Sequence, residues 1–204
     1  AQLSFRGEAE ESIPSPAADA LTSALAHSHA ADKAAVIIAL GTLRAEKATD
    51  LIARHAQHPD PAIRQSALWA LANLGCEPIG PTLFEQITGT AGYPQAQAGA
   101  NYLLLAQRLT QKGQAHTAAT LCRKLLADTT GTIPAAIKAG ALDVLLTAAG
   151  PAAMDDLVAA ADSPNEQLQA AAVNIAYRIE GTDATARWLA WLNTAEPPLA
   201  ERIV

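Results

Sequence analysis

Residues 60–75, DPAIRQSALWALANLG, return along the chain at near-constant spacing, and this recurrence constrains the fold more than any other feature. Asp60 is a good N-cap, and Pro61 falls where a missing N–H costs nothing. Ile63, Ala67, Leu68, Leu71 and Leu74 follow at helical spacing, and Gly75 supplies a stop. The template is Ile63, Arg64, Ala67, Leu68, Leu71 and Leu74. Subtracting 31 gives Asp32, Lys33, Val36, Ile37, Leu40 and Leu43. Adding 33 gives Ala96, Gln97, Ala100, Asn101, Leu104 and Gln107, the weakest copy. Adding 74 gives Ile137, Lys138, Ala141, Leu142, Leu145 and Ala148; adding 105 gives Leu168, Gln169, Ala172, Val173, Ala176 and Ile179. Successive offsets of 31, 33, 41 and 31 lie in the range of stacked structural repeats.

Each of these first helices has a second one behind it, over 48–56, 81–87, 115–127, 151–161 and 183–192. Apolar faces such as Leu121, Cys122, Leu125 and Leu126, or Met154, Leu157, Val158 and Ala161, mark them. Half the residues are apolar, only 4% are aromatic, and alanine makes up about a quarter of the chain. Alanine is the best helix former and lets helices approach closely. No stretch alternates long enough to suggest a sheet. A hairpin of this size cannot bury its apolar stripe alone, whereas stacked hairpins bury one continuous core. The fold class is therefore all-α, an α-solenoid of about five hairpins, with Leu71 and Leu145 in the core.

Residues 60–87 resemble a HEAT repeat, in particular the short bacterial HEAT-like type also found in phycobilisome lyases. The residues that carry the likeness are Asp60, Pro61, Ile63, Arg64, Ala67, Leu68, Leu71, Leu74 and Gly75, then Pro78, Leu83 and Phe84. Residues 135–164 match well, and 32–59 and 165–193 fairly. The third unit departs: Ala106, Leu109, Gly113, Ala118, Cys122 and Leu125 are similar to a tetratricopeptide hairpin with longer helices. The resemblance implies a right-handed α-α superhelix whose second helices line the concave side.

Residues 15–28, SPAADALTSALAHS, resemble 150–163, GPAAMDDLVAAADS, so the ordered part begins on an orphan second helix. Residue 1 is Ala, from which we expect a processed chain or a piece of a longer solenoid. The domain reading is an acidic lead-in over 1–14, one solenoid over 15–196 and a tail over 197–204. Trp188 and Trp191 stand three apart on the last second helix, and Trp191 calls for a covering tail or a neighbouring repeat. No run of 18 or more apolar residues predicts a membrane span. Cys76 and Cys122 read as free thiols compatible with any compartment, so the chain reads as soluble, cytoplasmic or exported.

The net charge of −6, with few and scattered Lys and Arg, argues against nucleic acid and against an anionic membrane surface. Lys33, Arg64, Gln97, Lys138 and Gln169 form a ladder of long donors, each expected to reach a loop carbonyl or an acid such as Asp32, Asp60 or Glu166 of the adjacent repeat. His27, His29, His55 and His58 are a candidate metal site, since His27 and His58 stand one repeat period apart. The plainer reading is imidazole favoured at helix C-termini, and nothing completes a zinc-type ligand set. No phosphate loop, nucleophile elbow or HExxH motif occurs. Asp155 and Asp156 face about 100° apart on a helix and read as a solvated face, not a catalytic pair.

The expectation is a non-catalytic interaction scaffold without cofactor, a monomer or weak dimer, within a larger bacterial protein. It would bind a protein or peptide through Arg54, Glu85, Arg123, Lys124, Arg187 and Trp191 on the second-helix face, with Gln57, Gln86 and Asp156 beside them. Trp and Arg are the types most enriched at binding hot spots. The alternatives that the resemblance brings are a lyase-like or ligand-binding enzyme of the phycobilin-lyase type and a HEAT-type DNA glycosylase. The first needs an aromatic-lined pocket, the second a basic groove.

Overall fold

The computed structural model describes residues 16–179 and 182–193, and the regular elements among them are all helical. In chain order they are α1 (Pro16–His27), α2 (Ala30–Thr42), α3 (Thr49–Ala53), α4 (Pro61–Asn73), α5 (Gly80–Gly89), α6 (Tyr93–Gln111), α7 (Ala115–Leu126), α8 (Ala135–Ala149), α9 (Met154–Ala161), α10 (Glu166–Ala176) and α11 (Thr182–Leu192). Helix α1 leads, and five hairpins follow. This is the all-α solenoid order that the repeat predicts. The lead-in over 1–14 and the tail over 197–204 lie outside the described residues.

Helix boundaries follow from local chemistry. The Asp60 carboxylate accepts the amide of Ala62 at 2.8 Å, capping α4 as its sequence suggests. Asn165 does the same for α10, accepting from the Leu168 amide at 3.1 Å. At the other end, α4 closes with the amide of Cys76 on the Leu71 carbonyl and that of Gly75 on the Ala72 carbonyl, both 3.0 Å. This double bond pattern needs a left-handed residue, and Gly75 has φ +66°. Helix α6 ends the same way through Gly113, whereas α2 uses Arg44 at φ +49°. Three second helices, α3, α5 and α9, are entered through a 3₁₀ turn that buries Ala48, Ile79 and Ala153.

Two compact units divide the chain, 1–70 and 71–204. In the first, α1 packs on α2, and Leu25, Ile37, Leu40, Ile52, Ile63 and Leu68 are buried. A Cβ on Gly41 would stand 2.7 Å from the Cβ of Ala70, so α2 and α4 touch almost backbone to backbone. In the second unit, α6 packs against α5, α7 and α8, while α10 packs against α8 and α9. Its core includes Leu71, Leu83, Tyr102, Leu105, Leu142, Leu145 and Leu157. Here too glycine sets the spacing between first helices, because a Cβ on Gly99 would meet Ile137 Cδ1 at 2.4 Å.

The third repeat corrects the expected register. The core residues of α6 are Ala98, Tyr102, Leu105 and Leu109, which follow Ile63, Ala67, Ala70 and Leu74 by 35 positions, not 33. Ala96, Ala100 and Gln107 are exposed. The offsets are therefore 31, 35, 39 and 31. Two physical facts hide this in the sequence. Helix α6 has 19 residues against 13 in α4, with three more at each end of the aligned stretch. And Tyr102 occupies the position where the template has Ala67, its hydroxyl donating to the Leu121 carbonyl at 3.4 Å.

By length and composition, Ala135–Ala161 is apolar enough to cross a membrane, with a mean hydropathy of 1.4. The chain there is two helices. It breaks at Gly150, φ +57°, runs through a 3₁₀ turn, and continues as α9, which packs on α10.

Candidate docking surface

Three of the five long donors, Arg64, Lys138 and Gln169, cap the preceding loop. Arg64 Nη1 donates to the His58 carbonyl at 2.7 Å and the Pro59 carbonyl at 3.2 Å. Lys138 Nζ donates to the Asp128 carbonyl, and Gln169 Nε2 to that of Ala161 at 3.1 Å. The acceptors are carbonyls at the ends of second helices, not Asp60 or Glu166. In the third repeat the register places Gly99 where Arg64 stands, so Gln97 is not the donor. Gln95, one turn earlier, takes over, its Nε2 bonding the carbonyls of Ile87 at 2.7 Å and Thr132 at 2.9 Å. A buried Gln at a helix start is the signal that sequence reading missed.

The loop after α7 is organised by Asp128. Its carboxylate accepts from the Thr130 hydroxyl at 2.5 Å and amide at 3.0 Å, from the Ile133 amide at 2.9 Å, and pairs with Lys138 Nζ at 3.2 Å. Both side chains of the ion pair are only 11% exposed. These bonds, the Thr130 hydroxyl foremost, hold the Asp128 carboxyl well below the usual carboxylate range.

Beside this loop lies an open groove of about 1020 Å³, walled by Leu126, Ile133, Lys138, Ala160, Asp162, Gln167 and Leu168 among others. No aromatic side chain is among the described residues lining it. A smaller hollow of about 340 Å³ lies across the same loop, against Phe84, Thr88 and Lys124.

The expected partner-binding residues divide by what they touch. Arg54, at the C-cap of α3, and Glu85, on α5, are exposed. Arg123 forks onto Asp156, with Nε at 3.1 Å and Nη2 at 2.9 Å from Oδ2, which raises the guanidinium pKa above its usual value. Arg187 Nη1 reaches Asp155 Oδ1 at 2.9 Å. Lys124 Nζ lies 4.1 Å from the Phe84 ring centroid, a cation–π contact. Three of the six expected residues, Arg123, Lys124 and Arg187, thus join consecutive second helices. Trp191 does not face outward as expected: it is 6% exposed, stacked on Trp188 at 4.5 Å between ring centroids, and its Nε1 donates to Asp162 at 2.6 Å. An indole that can satisfy its N–H inside a core gains more from burial than from exposure.

The four candidate histidines lie in the first unit. His55 and His58 have ring centroids 5.9 Å apart, His58 Nδ1 accepts the Asp60 amide at 3.1 Å, and His27 Nδ1 bonds the Ser23 carbonyl at 3.0 Å. His29 is the N-cap residue of α2. Burial, with Lys33 and His58 nearby, lowers the His55 pKa. No group of three metal-ligating side chains occurs among the described residues.

Comparison with curated proteins gives no match. Repeats of the kind found here commonly serve as protein-interaction scaffolds. The family model of HEAT repeats matches residues 18–101, spanning α1 to the middle of α6. Over that stretch the chain is similar to HEAT-repeat proteins, and its all-helical order of consecutive hairpins agrees with that likeness.

Proposed function

We propose that the chain is a non-catalytic scaffold that docks a protein or peptide on the second-helix face of its second unit, at the groove between α7 and α9. The observation that carries this reading is a preformed open groove in which two of the three lining aspartates are already held by neighbouring repeats. Asp128 is held by Lys138 and Asp156 by Arg123. A surface so ordered loses little conformational freedom on binding. The groove, of about 1020 Å³, is mixed in sign, which suits a polypeptide better than a polyanion. That none of its described lining residues is aromatic speaks against the tetrapyrrole pocket of a lyase-type enzyme.

A photo-crosslinking residue at Thr129 or Gln167, both exposed and lining the groove, tests the reading against one at Thr147 on first helix α8. Cross-linked polypeptide from the groove positions and none from Thr147 is the expected result. Equal labelling from all three would remove the groove from consideration.

A further inference from the structure

Resting on that reading, the comparison of two equivalent loops tells what the groove recognises. Asp128 follows α7 and Asp162 follows α9, each an acid at a helix C-terminus, where the dipole disfavours negative charge. At the first of these positions the chain supplies compensation. Lys138, from the next first helix, pairs with the Asp128 carboxylate at 3.2 Å and caps its carbonyl. The residue equivalent to Lys138 one repeat on is Gln169, which caps the Ala161 carbonyl in the same way but is neutral. Among the described residues, the Asp162 carboxylate accepts the neutral N–H of Trp191, on Oδ1. It is exposed, it lines the groove, and no cation among the described residues pairs with it. The other two groove carboxylates, Asp128 and Asp156, are neutralised by Lys138 and Arg123.

We infer that Asp162 is the specificity-determining residue of the groove and that the partner is an extended basic segment, whose Arg or Lys side chain seats on the free Asp162 oxygen while small apolar neighbours lie against Leu126, Ile133 and Leu168. The partner's cation supplies what Lys138 supplies one repeat earlier. The local acid at the end of α9 is thereby stabilised only in the complex. Trp191, bonded to the same carboxylate, reports occupancy through its emission.

Two pools of short synthetic peptides test this, one with Arg fixed at the centre of a random Ala, Ser and Leu background and the other with Gln at that position. Binding is followed by calorimetry and by tryptophan emission in a Trp69→Phe background. The Arg pool should bind saturably, with a change in emission, and the Gln pool at least about tenfold more weakly. Asp162→Asn keeps an acceptor for Trp191 and removes the charge, so it should fold normally and weaken the Arg pool about tenfold. Gln169→Lys supplies the missing cation internally and should weaken it similarly. Equal binding of both pools, no binding of either, or Arg-pool binding indifferent to both variants would overturn the assignment. If cross-linking from Gln167 still captures a polypeptide in that event, the docking groove survives without Asp162; if it does not, both fall together.

Discussion

Asp155 and Asp156 are consecutive on α9 and bind in opposite directions, Asp155 to Arg187 of α11 and Asp156 to Arg123 of α7. The angle of about 100° between neighbouring helical residues, which disqualifies them as a catalytic pair, is what lets one helix hold both neighbours. The two links differ in worth. Asp156 is 22% exposed and holds a forked guanidinium, whereas Asp155 is 85% exposed and makes one bond. In a double-mutant cycle read by urea denaturation, Arg123 and Asp156 should show a coupling of about 1 kcal/mol, and Arg187 and Asp155 about 0.3 kcal/mol or less.

Arg44 offers a stabilising change. It stands at φ +49° in the place that Gly75 and Gly113 fill at the ends of α4 and α6. Left-handed backbone costs an L side chain about 1 kcal/mol. Arg44→Gly should raise stability by a few tenths to about 1 kcal/mol, the gain being reduced by the greater freedom of glycine in the unfolded chain. Gly75→Ala should lower stability by about 1 kcal/mol, and both are checked by chemical denaturation.

The spacing of first helices is testable at Gly99. Gly99→Ala places a methyl against Ile137 and should cost about 1–3 kcal/mol. Ile137→Val removes the nearer of the two opposing carbons, so the double variant should recover part of that loss. By comparison, Leu71→Ala and Leu145→Ala, both fully buried, should each cost about 2–5 kcal/mol.

Acid should loosen the loop after α7. The carboxyl of Asp128 titrates below its ordinary value in the folded chain, so the folded state binds its proton less readily than the unfolded one. Its contribution is complete above an ordinary carboxyl pKa of about 3.9 and is lost as pH falls below that. Asp128→Asn should therefore lower stability at neutral pH and flatten the decline of the urea midpoint between about pH 4 and pH 2.

The two thiols should react differently. Cys122 is fully buried, and burial pushes its thiol up to about 12. Cys76 is partly exposed in the turn after α4. Under native conditions a disulfide reagent should modify one thiol per chain, at Cys76, and Cys122 only at the rate of unfolding.

Helix-period burial made most of the fold legible. Ile63, Ala67, Leu68 and Leu71, and their counterparts Ile137, Ala141, Leu142 and Leu145, are buried where the spacing places them. It failed at α6 because Tyr102 replaces a small residue and the helix is longer at both ends. The candidate site was less readable, since sequence gives the identity of a charge but not its partner. Arg123, Lys124 and Arg187 look like free surface cations in a string of letters, yet each is joined to another repeat. Trp191 looked like an exposed hot spot until Asp162, 29 residues away, accepted its N–H. Asp162 itself stands out only when the Lys138 and Gln169 loops are laid side by side.

The lengthening of α6 shows how a chain of this kind tolerates growth. Three residues at either end amount to nearly one turn each, so the added segments leave the buried seam of Ala98, Tyr102, Leu105 and Leu109 in phase with its neighbours. Length can vary there in whole turns as a separate degree of freedom, with the seam conserved and only the capping donor relocated, from the position of Gly99 to Gln95. A segment grafted onto either end of α6 in multiples of one turn should thus be carried by the hairpin without repacking it.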